Sequence, residues 1–462
     1  MLWEIIKERM QTFPLQKVYE NDNYMTYEQI IAYAELFSKK LNKKAYAILC
    51  HSQLFTGISI LACLAAGVTA IPLSYKYGYN HLRRIVDYVN PPYVISDIGN
   101  NLHIVNTDIG KYKHPKSCPA FIMCTSGTTG TPKGIMLSEN NIYSNLTGIS
   151  DYFKIDEDDN ILITRPLYHC AVLTGEFLIA LYSGVCIHFN DCTCNPSEIL
   201  KYVQKNNISI FCSTPTVISM LTKFIELKKT STKMKTIVIS GEVLHKHTAK
   251  EISQYFHKQN IYHVYGLTEA SPRVAYLNSQ NFHRYGHKLD SLVKGVSAKI
   301  VNDNGEEVPP GTKGELIIKG DNIMIGYYKK NALTKKTLVN GWLHTNDIAI
   351  SYDDGSFEII GRKDNMLICG GMNIYPSEIE NILKKNSHIK DVVAYGINRP
   401  YVGTQIGINV SSELKDKHEI LKICREILPS YAVPTFIECY DELPKNGSYK
   451  AIRKNLKQGE FL

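Results

Sequence analysis

The densest chemical signal in the sequence is the ten-residue stretch 125–134. It combines hydroxyl side chains, glycines and one lysine: Thr125, Ser126, Gly127, Thr128, Thr129, Gly130, Thr131, Pro132, Lys133 and Gly134. Glycines let backbone N–H groups approach an anion, hydroxyls donate to phosphate oxygens, and lysine adds a positive charge. The order differs from G-x-x-x-x-G-K-[ST], so a P-loop with Ser or Thr on magnesium is not implied. The stretch predicts a loop that binds a triphosphate.

Other residues of suitable chemistry depend on their surroundings for a function. Thr268 and Glu269 alone are typical of a helix start, and Tyr265 alone is typical of a core position. Asp347 alone is typical of a turn, and Lys450 alone is typical of a solvated surface. Their roles therefore rest on the motifs around them.

Further motifs follow the loop along nearly the whole chain. They are Tyr265-Gly266-Leu267-Thr268-Glu269, Gly314-Glu315-Leu316, Gly341-Trp342-Leu343-His344-Thr345-Asn346-Asp347, Gly361-Arg362-Lys363-Asp364, the segment 370–380, and Leu443-Pro444-Lys445 leading to Lys450. Each motif alone is weak, but in this order they are specific. The sequence resembles the ANL superfamily of adenylate-forming enzymes, which includes acyl-CoA and aryl-CoA synthetases.

The resemblance implies an ATP-dependent acid–thiol ligase. Such enzymes convert an aryl or acyl carboxylic acid to an acyl-adenylate and release pyrophosphate. They then transfer the acyl group to the thiol of coenzyme A or of a carrier-protein phosphopantetheine. Two alternatives stay open: an amino-acid-activating carrier-protein ligase, and a nucleotide-binding protein with reduced turnover.

The same resemblance implies roles for individual residues. Lys450 would reach the substrate carboxylate and the α-phosphate, Thr268 would contact phosphate, and Glu269 would help hold Mg²⁺, which prefers oxygen ligands. Asp347 would accept hydrogen bonds from the ribose hydroxyls, and Arg362 would add a second nucleotide contact. Gly241 and Glu242 would lie beside adenine. Tyr265 would stack on the base, and Gly266 would follow it in the nucleotide site.

Three positions depart from the family pattern. Tyr449 stands before the lysine where glycine is usual, and this bulk could weaken delivery of Lys450. Asn346 stands where glycine is usual, a mild change because asparagine tolerates positive φ. His263 stands where asparagine is common. None of the three removes a charge that the chemistry needs.

The segment 370–376 resembles acyl- and aryl-CoA synthetases more than peptide-synthetase adenylation domains. Gly370 and Gly371 would let the backbone pass close to a pantetheine arm, although a loop leading into a helix has the same composition. Coenzyme A and a carrier protein share that arm, so the motif does not separate them. Asp364 lies at the position of the family hinge.

The segment Pro166-Leu167-Tyr168-His169 bears on the choice of acid. Relatives that activate α-amino acids commonly place an aspartate here, where its charge pairs with the substrate ammonium. His169 cannot supply that anion, and a structural role for it is the alternative. An aromatic or aliphatic acid without an α-ammonium group is therefore favoured.

The elements that must position these residues alternate between strands and helices in the first 300 residues or so, which predicts α/β architecture with parallel sheet. From about Ala298 short alternating strands predict a small antiparallel β subdomain. After Asp364 the sequence pattern changes again and predicts a mixture of helices and strands. We predict a large N-terminal AMP-binding domain over residues 1–362 and a mobile α+β C-terminal domain over 365–462.

Composition sets the limits on other classes of function. The chain has 462 residues, of which 44% are hydrophobic and 21% charged, so neither a disordered nor a fibrous protein fits. The net charge of +8 is spread along the chain, and no nucleic-acid partner is required. Twelve cysteines in apolar surroundings indicate a reducing cytoplasm. Neither a targeting segment nor a membrane span is expected.

Overall fold

The computed structural model describes residues 1–42, 45–75, 79–99, 101–107, 112, 115, 117–125, 132–192, 195–363, 366–369, 372–399, 403–428 and 432–443. Its α-helices are α1 Leu2–Thr12, α2 Tyr27–Ser38, α3 Gln53–Ala66, α4 Tyr79–Val89, α5 Glu139–Tyr152, α6 Cys170–Val172, α7 Ile179–Ser183, α8 Pro196–Lys205, α9 Pro215–Lys228, α10 Lys246–Tyr255, α11 Phe282–Tyr285, α12 Asn331–Thr337, α13 Pro376–Leu383 and α14 Lys417–Ile427. A π-helix spans Leu173–Leu178, and 3₁₀ turns span Thr268–Ala270 and Ser279–Asn281.

The strands are β1 Lys17–Glu20, β2 Asn23–Thr26, β3 Ala45–Ile48, β4 Thr69–Pro72, β5 Tyr93–Ile98, β6 Asn101–Asn106, β7 Phe121–Thr125, β8 Lys133–Leu137, β9 Asn160–Ile163, β10 Cys186–Phe189, β11 Ile210–Ser213, β12 Thr236–Ile239, β13 Asn260–Gly266, β14 Arg273–Leu277, β15 Ser291–Leu292, β16 Ser297–Val301, β17 Lys313–Lys319, β18 Gly326–Tyr327, β19 Leu338–Val339, β20 Trp342–Ser351, β21 Phe357–Arg362, β22 Leu367–Cys369, β23 Met372–Ile374, β24 Ile389–Arg399, β25 Gly403–Ser412 and β26 Phe436–Tyr440.

The chain divides into two compact units. The first comprises Met1–Leu244, Glu251–Ala298 and Ile318–His344. The second comprises His245–Lys250, Lys299–Ile317 and the described residues from Thr345 onward. A domain boundary at residues 362–365 stays a prediction.

The first unit contains the predicted parallel sheets. In the described chain one sheet has the strand order β15-β14-β13-β12-β11-β9-β10-β1-β2, and β1 and β9 to β13 run parallel to their neighbours in that group. The other has the order β18-β8-β7-β4-β3-β5-β6. Strands β3, β10, β11 and β12 are buried along their whole length, as expected for strands covered on both faces. The α/β fold class is confirmed.

Local sequence signals explain where the helices begin. Thr26 caps α2 through a capping box with Gln29, and Ser138 caps α5 in the same way with Asn141. Helix α3 ends at Gly67, whose φ of 64° suits a residue without a side chain. Each cap fixes one end of a helix that covers a sheet. Within the described ranges, every helix is too short or too polar to cross a membrane.

The second unit has its own core. Strands β24, β25 and β26 form a sheet, in which β24 is antiparallel and β26 parallel to β25. Val392, Ala394, Ile408 and Val410 of this sheet pack in one buried cluster with Leu383, and the cluster also contains Ile420 and Cys424 of α14. The short pair β22–β23 precedes α13. Mixed helices and strands are what the C-terminal sequence predicts.

Candidate active site

The predicted phosphate loop joins two strands of a hairpin. Strands β7 and β8 are antiparallel, and Thr125 is opposite Lys133 in the register. Ser126, Gly127, Thr128, Thr129 and Gly130 lie outside the described residues. The hairpin brings the two ends of the loop to neighbouring positions in a sheet, which is what a loop that closes around a small anion requires.

Glu269 reaches the same region from a distant part of the sequence. It lies in the 3₁₀ turn after β13, and its backbone carbonyl accepts a 2.8 Å hydrogen bond from the Met324 N–H. The turn needs Gly266, because a Cβ at that position would lie 2.2 Å from the carbonyl oxygen of Pro272. Tyr265, before the glycine, is half-buried, and the strand register shifts between the two residues. The motif 265–269 thus owes part of its composition to close backbone packing.

Tyr327 joins the loop lysine to the carboxylate. Its hydroxyl donates to Glu269 Oε1 at 2.9 Å, and the Lys133 ammonium lies 5.7 Å from its ring centroid. Strand β18 carries Tyr327 beside the loop, because Tyr327 is opposite Ile135 of β8. Sequence reasoning did not identify Tyr327, although it lies in a Gly-Tyr-Tyr-Lys-Lys run at 326–330.

A second lysine lies at the end of the loop. Lys330 Nζ donates to the carbonyl of Pro132 at 2.9 Å. Its pKa is lowered, first by burial and then by the charge of Lys133. The charge of Lys133 therefore disfavours the protonated form of Lys330. This feature also escaped the sequence analysis, because its two segments are 198 residues apart.

Gly241 and Glu242 follow strand β12 and have different structural roles. Gly241 has a φ of 91°, a conformation that favours glycine. Glu242 Oε2 accepts hydrogen bonds from the Thr216 hydroxyl at 2.7 Å and from the Thr216 N–H at 3.3 Å. That carboxylate therefore stabilises the beginning of α9. A contact between this segment and adenine stays a prediction.

His169 precedes helix α6 and is half-buried. Its N–H donates to the carbonyl of Pro166 at 3.1 Å, and its ring lies 4.2 Å from the ring of Tyr168. Of the apolar residues around it, Leu167, Val172 and Leu173 are completely buried, whereas Ala171 is half-buried. The first three therefore belong to the core, and Ala171 is the one with surface to offer a ligand.

Three buried or partly buried charged residues, Arg165, Glu176 and Arg273, are linked to the π-helix that follows His169 and α6. Arg165 forms an ion pair with Glu176, which is completely buried in the π-helix and whose pKa burial raises. Arg165 Nη2 also lies 3.4 Å from the Ser240 hydroxyl. Arg273, 4% exposed, donates to the Tyr152 hydroxyl at 2.7 Å and to the Gly175 carbonyl at 2.8 Å. An isolated buried charge is costly, so these pairs hold the π-helix in place.

The candidate ribose-binding residues lie in the second unit. Asp347 on β20 is opposite Arg362 on β21, and Arg362 Nη1 donates to Asp347 Oδ1 at 3.3 Å and to the Thr345 carbonyl at 3.1 Å. The Asp347 N–H donates to the Thr345 hydroxyl at 3.0 Å. Asn346 has a φ of 62°, the left-handed conformation expected where the family pattern has glycine. These contacts hold the Asp347 carboxylate in one orientation.

The remaining predicted residues are not covered by the structure. Asp364, Gly370, Gly371, Tyr449 and Lys450 lie outside the described residues. Their roles stay predictions.

The donors present suit a magnesium ion that arrives with ATP. Among the described residues, no group of three or more His, Cys, Asp and Glu side chains could hold a metal ion. Glu269 offers a single half-buried carboxylate. Mg²⁺ in nucleotide sites is commonly bound by one or two carboxylates together with substrate phosphates, so one carboxylate fits.

Comparisons with known proteins place these features in context. The family described as "AMP-binding enzyme" matches residues 6–328, and "AMP-binding enzyme C-terminal domain" matches residues 378–450. A long-chain-fatty-acid–CoA ligase of Escherichia coli is 30% identical over 83% of this chain and 69% of its own length. A 2-succinylbenzoate–CoA ligase of Bacillus licheniformis is 27% identical over 98% of both chains.

The fold has close counterparts among solved structures. An o-succinylbenzoate CoA synthetase of Bacillus subtilis, in complex with its acyl-adenylate intermediate, superposes with a TM-score of 0.84 at 22% identity, covering 99% of this chain and 98% of its own. The similarity shows that the two chains share a fold.

Proposed function

Since the chain belongs to the AMP-binding enzyme family, we propose that it uses ATP to join a carboxylic acid to the thiol of coenzyme A. It is an adenylate-forming acid–thiol ligase. The observation that supports this most directly is the arrangement of Lys133, Tyr327 and Glu269. Lys133, at one end of the predicted phosphate loop, and the Glu269 carboxylate come from distant segments and both lie against Tyr327.

The first half-reaction transfers AMP. An oxygen of the substrate carboxylate attacks the α-phosphorus of ATP, the bond to the bridging β-phosphate oxygen breaks, and pyrophosphate leaves. Lys133 and the loop 125–130 would bind the phosphates, with Thr268 beside them. Glu269 would hold Mg²⁺, which neutralises phosphate charge, and Lys450 would stabilise charge at the reacting carboxylate.

The second half-reaction forms the thioester. The thiol sulfur attacks the acyl carbonyl, AMP leaves with the bonding electrons, and the thiol proton passes to solvent. The relatives named above are CoA ligases, which supports coenzyme A as the acceptor. Gly370 and Gly371 would border the pantetheine arm. Transfer to a carrier-protein phosphopantetheine is the second candidate.

The acid is proposed to be an aryl or acyl acid without an α-ammonium group. His169 and the half-buried Ala171 offer no negative charge for an ammonium. The acids named in the two relatives reported above, a long-chain fatty acid and 2-succinylbenzoate, also lack that group. A cytoplasmic location, where thiols stay reduced, completes the proposal.

The test is pyrophosphate exchange with a panel of acids, followed by thioester formation with coenzyme A. Fatty, aryl and dicarboxylic acids form one arm of the panel, and the standard amino acids form the other. We expect exchange with members of the first arm and thioester product when coenzyme A is added. Preferential exchange with an α-amino acid would contradict the proposed substrate class. Exchange without thioester from coenzyme A would favour the carrier protein.

Lys450→Ala is the matched variant for the first half-reaction. Loss of one preorganised charge contact lowers such rates by about 100- to 1000-fold. We expect exchange to fall by that factor while ATP binding, measured by calorimetry, persists. A variant with unchanged exchange would show that Lys450 has no role in adenylation.

A further inference from the structure

The structure gives a role to Tyr327, which the motifs do not include. Resting on the proposed function, we infer that Tyr327 is a positioning residue that orients the Glu269 carboxylate toward the Mg²⁺ of Mg·ATP and holds Lys133 at the end of the phosphate loop. The geometry that supports this is the 2.9 Å bond from its hydroxyl to Glu269 Oε1 and the 5.7 Å distance from its ring centroid to Lys133 Nζ.

Tyr327 itself is held firmly. It is 4% exposed, its backbone pairs with β8, and its N–H donates to the Thr334 hydroxyl at 2.9 Å. The preceding Gly326 has a φ of 150°, and a Cβ there would lie 2.6 Å from Thr334 Cγ2. A side chain with so few alternatives can hold its neighbours in fixed positions.

The hydroxyl suits its task because it is neutral. A hydrogen bond to one carboxylate oxygen restricts the rotation of the Glu269 side chain without cancelling its charge. The other oxygen keeps its lone pairs for a cation. A lysine or arginine as the donor would orient the carboxylate equally well, but its charge would compete with the metal ion.

The ring has a separate task. An ammonium within about 6 Å of an aromatic centroid is attracted to the ring face. That attraction acts on Lys133, at the start of β8, and does not involve the hydroxyl. Tyr327 therefore contacts Glu269, the predicted metal ligand, through its hydroxyl, and Lys133, the predicted phosphate-binding residue, through its ring.

These two tasks can be separated by substitution. Tyr327→Phe removes the bond to Glu269 and keeps the ring, whereas Tyr327→Leu removes both. Tyr328→Phe is the matched control, because the neighbouring Tyr328 is also buried and donates its hydroxyl at 3.3 Å to the backbone carbonyl of Val89.

Calorimetric titration provides the readout that does not depend on turnover. We expect Tyr327→Phe to weaken binding of Mg·ATP by about tenfold, as expected for loss of a hydrogen bond to a charged group, and to leave binding of ATP in EDTA unchanged. Tyr327→Leu should weaken both. In the exchange assay, the Mg²⁺ concentration for half-maximal rate should rise by about tenfold for Tyr327→Phe, and excess Mg²⁺ should restore the rate.

Three results would overturn the inference. The first is an unchanged Mg²⁺ dependence in Tyr327→Phe, and the second is equal weakening of ATP binding with and without the metal. A shift in Mg²⁺ dependence in Tyr328→Phe as large as that in Tyr327→Phe would also overturn it, since a buried hydroxyl of any kind would then suffice. A wild-type protein that binds Mg·ATP but exchanges pyrophosphate with no acid would instead refute the proposed function.

Discussion

Glu269 and Asp347 are two carboxylates with different predicted tasks, and the chain holds them by different kinds of donor. Glu269 accepts from the neutral hydroxyl of Tyr327, whereas Asp347 accepts from the guanidinium of Arg362. A neutral donor leaves the full negative charge of Glu269 available for a cation. The cation beside Asp347 balances its charge, which suits a group that accepts hydrogen bonds from uncharged hydroxyls. The neutral donor at Glu269 thus favours a cation as its ligand, and the charged donor at Asp347 favours uncharged hydroxyls.

The exposure of Asp347 and Arg362 bears on the role of the arginine. The Asp347 side chain is 10% exposed and its arginine is 40% exposed, so the pair lies at the edge of solvent. An exposed ion pair contributes little stability by itself. We therefore interpret Arg362 as a residue that orients Asp347 and adds a nucleotide contact, rather than as a structural support.

The largest expected effect is that of Glu269→Gln. Glutamine keeps an oxygen that accepts from Tyr327 but has no charge for Mg²⁺. We expect Mg²⁺-dependent exchange to fall by about 100- to 1000-fold, as for loss of a preorganised charge in other sites. A thermal unfolding curve close to that of the wild type is the control. Exchange at the wild-type rate would show that Glu269 does not hold Mg²⁺ and that the neutral donor beside it does not mark a metal ligand.

Asp347→Asn should have the next largest effect, and of a different kind. Hydrogen bonds to charged groups contribute about 1.5–3 kcal/mol, so we expect ATP and AMP to bind about 10- to 100-fold more weakly. The loss should be the same with Mg²⁺ and in EDTA, because the ribose is remote from the metal in this assignment. A loss seen only with Mg²⁺ would make the two carboxylates equivalent.

How much of this could be predicted from the sequence differs between the residues. Lys133, Glu269, Asp347 and Arg362 stand in short motifs that resemble the family pattern, and this resemblance predicts their roles. Gly266 is similar, although the structure adds its reason, the 2.2 Å approach to Pro272. The α/β fold class followed from the alternation of strands and helices.

Other features needed the tertiary structure. Lys330 gains a neighbour only through pairing of segments 198 residues apart, which no local pattern reveals. The sequence does not distinguish the apolar run of the π-helix around Glu176 from an ordinary helix, and the buried pair forms only because Arg165, which follows β9, meets this helix in the fold. Buried ion pairs follow from which elements meet, and the sequence alone does not show this.

Arg362→Gln should have a small effect. The pair is partly exposed, and exposed ion pairs contribute about 0.2–1 kcal/mol, so ATP binding should weaken by no more than about fivefold. The measurement is calorimetric titration of Arg362→Gln and Asp347→Asn with ATP. A loss as large as that of Asp347→Asn would show that Arg362 contributes as much to nucleotide binding as Asp347 does, which would contradict the small effect expected here.

The smallest expected effect concerns acid stability of the strand that leads to Glu269. His263 on β13 is 7% exposed, and its Nδ1 donates to the carbonyl of Lys288 at 3.2 Å, which fixes the neutral ring. Burial lowers the pKa of His263 from 6.5 to about 4. Between these values the unfolded chain binds more protons than the folded one, so the free energy of unfolding falls as pH falls. The slope is up to about 1.4 kcal/mol per pH unit.

His263→Asn should remove that slope, because asparagine does not titrate. Amide exchange at pH 5 and pH 7 locates the effect. We expect the protection factors of β13 amides, which are corrected for the intrinsic pH dependence of exchange, to fall at pH 5 more in the wild type than in the variant, with β20 and β21 alike in both. His188→Asn is the matched control: His188 on β10 is also buried with its pKa lowered to about 4, but it lies on another strand. Equal protection of β13 at both pH values in the wild type would show that acid does not loosen the Glu269 side, and the two carboxylates would then differ only in their donors.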